Sequence, residues 1–241
     1  MTLVVALKCK DGVVFASESQ ATAQVGQNFV RYETIKIKEL KNNKLWAASG
    51  DVNIAEKIER SLVAFQEDNP NFTLSDAELM QDFADGYSGV ISDAIVRYRG
   101  IWGAAAPVQL DLPEVVIVAY ENEQPKIWHI NASGSYGCEQ NDYHAIGNGS
   151  IYAIVMLRRF DLLDIDVETG SVIALKVLSE AIEVSGFGIG EPIHVWTTDN
   201  AGSHRKDQDE MTNLKATNKW VTEAEKEHFK IQVTKFRNLE S

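Results

Sequence analysis

MTLVVALKCKDGVVFASESQAT, residues 1–22, decides the fold, because it sets an apolar strand directly behind Thr2 and folds a second strand back on it. Residues 2–9 and 13–19 are rich in Val, Leu, Phe and Ala and flank Lys10-Asp11-Gly12, a hairpin turn. Register decides which side chains meet. With a two-residue Asp11-Gly12 turn, Lys10 pairs with Val13 and Glu18 points away from the face of Thr2. With a three-residue turn closed by a bulge at Gly12, Cys9 pairs with Val13 and Glu18 shares that face. Glycine in the last loop position favours the second register.

Beyond the hairpin, residues 29–40 and 44–50 read as another strand pair turning at Asn42-Asn43. Within it YETIKIKEL alternates, with Ile35 and Ile37 on one face and Thr34, Lys36 and Lys38 on the other. The period then changes. Ala55, Ile58, Leu62 and Phe65 recur at helical spacing behind Asp51, a helix-capping residue. A capping box opened by Ser75 precedes a second apolar stripe of Leu79, Phe83, Tyr87, Val90 and Ala94. After a Gly/Ala/Pro stretch ending near Pro113, EVVIVAY and KIWHIN predict strands, followed by a short strand at 143–146. IYAIVMLRRF and the series Val172, Leu175, Leu178 and Ile182 predict two more helices; PIHVWTT closes the strand set. A capping box formed by Thr222 and Glu225 starts a polar C-terminal helix. Runs of strands separated by helix pairs predict an α+β domain, two sheets face to face with helices outside: a four-layer αββα sandwich.

The 241 residues are enough for one large domain, 1–241, with residues 203–241 read as a C-terminal assembly arm. A formal charge of -12 argues against nucleic-acid and anionic-lipid partners. The opening lacks a signal-peptide pattern, and no apolar run approaches the ~18 residues of a membrane span. A cytoplasmic protein, processed only by removal of Met1, is expected. Cys9 and Cys138 match neither a disulfide framework nor a zinc motif, and the five histidines have no ligand-like spacing along the chain. Neither metal nor cofactor is expected.

An N-terminal threonine is a self-sufficient nucleophile: its hydroxyl attacks a carbonyl while its own α-amine, with a reference pKa of about 8, takes the proton. A nearby ammonium favours the alkoxide, and a carboxylate holds that ammonium. Lys36 and Lys38 are both candidates for the ammonium and Glu18 for the carboxylate.

TLVVALKCKDGVVFASESQAT resembles the start of a mature proteasome β-type subunit, including the simpler bacterial two-ring relative. The resemblance runs over residues 2–60 and 143–199, is weak between and absent in the tail. It implies an N-terminal-nucleophile hydrolase fold with Thr2 as nucleophile, Glu18 as carboxylate, Lys36 as lysine, and the Gly50 amide in AASGD as oxyanion donor. It further implies substrate contacts at Ala21, Thr22, Ala48 and Val52, and supporting residues Asn148, Ser185 and Gly186. Three departures stand out: Glu18 replaces the family's shorter Asp, Asn148 replaces a Ser, and Ile182 occupies an Asp position unless Glu183 slips into it. The implied activity is a threonine endopeptidase of a self-compartmentalised ring, acting on peptide or unfolded protein, homo-oligomeric, with an α-type or ATPase partner. The departures keep two alternatives open, a noncatalytic ring subunit and an amidohydrolase of narrow specificity.

Overall fold

The opening hairpin forms as β1 (Val4–Cys9) and β2 (Gly12–Glu18), in neither expected register. Cys9 pairs with Gly12, Lys8 with Val13 and Val4 with Ser17, so the loop is Lys10 and Asp11 alone. Tertiary partners set this register. Asp11 Oδ1 accepts from Val167 N at 2.9 Å, and Lys10 N donates to Ile165 O at 3.0 Å. Gly12 is a strand residue without positive φ; it serves close approach, since a Cβ there would sit 2.6 Å from Thr198 O.

The computed structural model describes residues 2–25, 28–103, 110–184 and 188–237. Side chains at 22–25, 28–29, 31 and 233–237 are not described. After β2 come the hairpin β3 (Gln20–Val25) and β4 (Asn28–Glu33), then β5 (Ile37–Leu40) and β6 (Lys44–Ala48). The expected strand over 29–40 is therefore broken. Residues 34–36 link the β3–β4 hairpin to β5, with Thr34 N held by Ser19 O at 2.8 Å. The expected face does not survive the break: Ile37 is 1% exposed and Ile35 47%.

Helices α1 (Val52–Asp68) and α2 (Ala77–Trp102) follow. Asp51 caps α1, accepting from Asn53 N and Ile54 N at 2.8 and 3.2 Å. Asp76, rather than Ser75, caps α2: its backbone is extended and its carboxylate accepts from Leu79 N. Strands β7 (Val115–Glu121), β8 (Gln124–Ile130), β9 (Tyr136–Cys138) and β10 (Tyr143–Ile146) lead to α3 (Ser150–Leu157) and α4 (Val167–Val184). The chain ends through β11 (Ile193–Asp199), β12 (Gly202–Arg205) and α5 (Gln208–Arg237).

One sheet runs β10-β1-β2-β11-β12, the other β5-β6-β7-β8-β9. Alternation gives β1, β2, β6, β7 and β11 two buried faces. Val4, Ala6, Val13 and Phe15 meet Ile37, Leu45, Val116 and Val118 between the sheets. Leu3, Val5, Leu7 and Val14 instead pack outward on α3 and α4, while Trp46, Val115 and Ile117 pack on α1 and α2. These three apolar layers make the expected αββα sandwich.

Residues 203–241 begin inside this domain. β12 is the edge strand of the first sheet, and Met211 and Leu214 of α5 are buried in the outer core. α5 starts at Gln208, well before the capping box at Thr222, because Asp207 Oδ1 accepts from Asp209 N and Glu210 N at 2.9 Å each. Lys176 of α4, 7% exposed, ties to α5 through Glu225 at 2.9 Å. No helix among the described residues is long and apolar enough to cross a membrane.

Candidate functional site

Thr2 lies two residues before Val4, which puts it at the open end of the layer between the sheets. It is 8% exposed. Glu18 ends β2 and is fully buried, and its extra methylene lets the carboxylate wrap the strand end. Oε1 accepts from Leu3 N at 3.1 Å; Oε2 accepts from Gln20 N at 2.8 Å and Gly190 N at 3.3 Å. Its last partner is an ion pair with Lys36 Nζ. Three amides and an ammonium thus satisfy a carboxylate that burial alone would disfavour.

Lys36 arrives from the 34–36 link rather than from a strand face. Its Nζ donates to Gln20 O at 2.9 Å and to Thr2 Oγ1 at 3.4 Å, and its side chain is 7% exposed. Burial holds the Lys36 ammonium below the ordinary lysine range, while the Glu18 charge and hydrogen bond pull the other way. Lys38 turns outward to pair with Glu59, so only Lys36 of the two meets Thr2.

Gly50 closes β6 with φ 94°. Its neighbours are tied down, Ser49 N to Glu114 O at 2.9 Å and Asp51 N to Asp111 O at 2.7 Å. Gly50 N has no partner among the described residues, and a Cβ at Gly50 would lie 2.8 Å from Pro113. Pro113 O in turn accepts from the buried Tyr87 hydroxyl of α2. The second helix layer thereby fixes the backbone that presents the free amide.

A cleft of about 730 Å³ opens over these groups, and Thr2, Lys36, Gly50, Ala21, Ala48 and Val52 line it. That volume suits a short peptide segment or a drug-sized ligand. Four carboxylates also line it, from Asp51, Glu56, Glu59 and Asp111, against the two ammoniums of Lys36 and Lys38.

The remaining sequence candidates fall elsewhere. Thr22 pairs with Arg31 in the β3–β4 hairpin, and its side chain is outside the described residues. Ser185 and Gly186 also lie outside them. Asn148 is exposed and does not line the cleft. Ile182 packs against the outer core, and Glu183 lines a groove between α4 and α5, so neither brings a carboxylate to Thr2.

Gly147 enters the sequence reading only as the first residue of the GNGS helix entry, and Gly190 only within the GFGIG turn; both abut the site. Gly147 has φ 88°, and a Cβ there would sit 2.1 Å from Thr2 O. Its amide donates to Glu114 Oε2 at 3.3 Å. A Cβ on Gly190 would sit 2.4 Å from Gln20 Oε1. The glycine-rich runs GNGS and GFGIG were the available signal: glycine allows close approach, to the Thr2 backbone at Gly147 and to the Gln20 side chain at Gly190.

Residues 112–196 match the family model of proteasome subunits. The match covers 112–142, where the sequence resemblance looked weak, and leaves out the segment carrying Thr2, Glu18, Lys36 and Gly50. The chain is 26% identical over 188 residues to the proteasome subunit beta of Mycolicibacterium vanbaalenii, across 76% of this chain but 58% of that protein. The proteasome subunit beta 2 of Nitrosopumilus maritimus is 27% identical over 207 residues, across 83% of this chain and 87% of the relative. Among solved structures, Anbu (ancestral beta-subunit) from Yersinia bercovieri superposes with a TM-score of 0.70 over 94% of this chain and 96% of its own, at 17% identity. At that identity the superposition establishes shared fold. The chain is therefore distantly similar in sequence to proteasome β subunits and has their kind of αββα fold.

Proposed function

We propose that this chain is a threonine-type peptide hydrolase, with Thr2 Oγ1 as nucleophile once the Met1–Thr2 bond is cut. The observation that carries the reading is the Lys36 ammonium, held by buried Glu18 and donating to Thr2 Oγ1 at 3.4 Å at the head of a cleft. A strand threonine without catalytic duty does not require a buried charge at its hydroxyl.

In the proposed reaction Oγ1 bonds to the substrate carbonyl carbon, and its proton passes to the freed α-amine of Thr2. Lys36 lowers the cost of the forming alkoxide. The Gly50 amide, with φ set and neighbours pinned, donates to the oxyanion. The C–N bond then breaks and the amine product leaves with the proton. Water, deprotonated by the same α-amine, hydrolyses the ester and restores Thr2.

The relatives' description as proteasome subunits supports the further proposal of homo-oligomeric rings in the cytoplasm that enclose the site, with an α-type or ATPase partner admitting unfolded protein. A noncatalytic ring subunit is the second reading, favoured by the exposure of Asn148 and the packing of Ile182 in the outer core. An amidohydrolase of narrow specificity would use the same residues on one small substrate.

Cleavage of a fluorogenic peptide panel by the full chain separates these readings. The proposal expects turnover that falls at least ~1,000-fold in Thr2→Ala. Turnover equal in both proteins, or absent from the assembled wild type across the panel, contradicts it. The excess of carboxylates lining the cleft predicts a preference of about 10-fold in kcat/KM for peptides with Lys or Arg beside the scissile bond over Asp or Glu. A preference for acidic peptides at low salt would contradict that assignment.

A further inference from the structure

At the opposite edge of the second sheet from the cleft, three side chains from three segments converge. His129 comes from β8, Glu139 follows β9, and His144 comes from β10, the edge strand of the first sheet. One ligand atom from each lies within 4.8 Å of the others. Glu139 Oε2 is 2.9 Å from His144 Nδ1 and 3.9 Å from His129 Nδ1. The two imidazoles stack with centroids 4.4 Å apart.

A hydrogen bond between Glu139 and His144 that ties the sheets together accounts for two of these groups. It does not account for the third. His129 Nδ1 is buried and has no hydrogen-bond partner among the described residues, and 3.9 Å to the carboxylate is too long to supply one. Glu139 is meanwhile oriented from its other side: Asn141 N and Nδ2 donate to Oε1 at 3.0 and 2.8 Å, and Lys8 Nζ donates to Glu139 O at 2.6 Å. Oε2 is thereby left facing both rings.

We propose that His129, Glu139 and His144 form a binding site for a divalent transition ion, zinc by preference, which joins the edges of the two sheets. Two imidazole nitrogens and one carboxylate oxygen, with water in the fourth position, are a donor set that zinc accepts. Two ligands on a tetrahedral zinc stand ~3.4 Å apart, given bonds of about 2.0–2.2 Å. The distances of 2.9 and 3.9 Å from Glu139 Oε2 bracket that value, so each imidazole–carboxylate pair needs a shift of about half an ångström, and the ligand atoms of the two rings, within 4.8 Å of each other, must close on the same value. Imidazole lone pairs lie in the ring plane, so rings stacked at 18° must also tilt apart to share an ion. Side chains that are 24% and 20% exposed, for His129 and His144, have room to do so. Spacing along the chain could not reveal the site, because its ligands come from separate strands brought together by the sandwich.

The test is titration of the chelator-treated full chain with Zn²⁺ alone by calorimetry, and with Co²⁺ alone by visible absorption. The expected result is one ion per chain, a raised melting temperature and a cobalt spectrum of tetrahedral intensity. Affinity should fall at least ~10-fold in His129→Gln, His144→Gln and Glu139→Gln, and stay unchanged in Cys138→Ser and His204→Gln. Metal-free melting curves establish that the variants fold. Should a variant not fold, imidazole ¹⁵N shifts of the wild type decide: zinc must move His129 and His144. No saturable binding, unchanged affinity in the histidine variants, or shifts confined to His204 or His228 would overturn the proposal.

Discussion

Lys36→Ala is expected to lower kcat/KM for the proposed peptide cleavage by about 10³-fold or more, with the loss in kcat rather than KM. The ammonium that donates to Thr2 Oγ1 at 3.4 Å disappears, while the cleft that binds substrate keeps its other walls. Folding is expected to survive because Glu18 retains three amide donors, from Leu3, Gln20 and Gly190. The destabilisation should stay below the roughly 3–5 kcal/mol of a buried pair broken without such support. Lys36→Arg is not a conservative rescue, since a planar guanidinium cannot occupy the compact point between Glu18, Gln20 O and Thr2. Steady-state kinetics beside a chemical melt check both halves. If Lys36→Ala costs stability but leaves cleavage unchanged, the lysine is structural and the proposed mechanism is wrong.

Gly147→Ala has the largest expected effect on structure. The new methyl would lie 2.1 Å from Thr2 O, in a backbone with φ 88° that a side chain rarely adopts. Backbone stands on both sides of the clash, so no rotamer change relieves it. A loss of about 4 kcal/mol, or displacement of Thr2 with loss of cleavage, is expected. Gly149→Ala is the control: its methyl meets side chains alone, Leu3 Cδ2 at 2.9 Å and Leu3 Cβ and Ile189 Cδ1 at 3.2 Å, so the buried side chains must repack without a backbone clash, and about 1–2 kcal/mol is expected. Denaturant midpoints of the two variants decide. Equal, small losses would mean that Thr2 is not pinned by the Gly147 backbone.

Much of the sandwich was legible because its signal is local. Ile58 and Leu62 in α1, and Phe83, Tyr87 and Ala94 in α2, keep helical spacing, and each of these is buried. The register of the first hairpin was not legible, because Asp11 and Lys10 answer to Val167 and Ile165, far along the chain. Ile35 misled for a related reason. Its alternation with Ile37 is real in the sequence, but residues 34–36 are spent crossing between sheets.

The site divided in the same way. Glu18 and Lys36 were expected to meet Thr2 through a bulged hairpin and a strand face. They meet instead through a strand end and a crossover, helped by the reach of Glu over Asp. Gly147 and Gly190 carry no charge or hydroxyl to attract notice: Gly147 matters because the Thr2 backbone is close enough to exclude a methyl group, and Gly190 because its amide reaches Glu18 beside the Gln20 side chain.

The proposed chemistry requires that Thr2 become a free amino terminus and react there. Intact mass of the purified full chain, taken before and after an electrophile that bonds both the hydroxyl and the α-amine of an N-terminal threonine, tests it most directly. The expected result is a chain beginning at Thr2, one adduct per chain located on that residue, and none in Thr2→Ala. Met1 retained in the assembled protein, or equal labelling of wild type and Thr2→Ala, would contradict it.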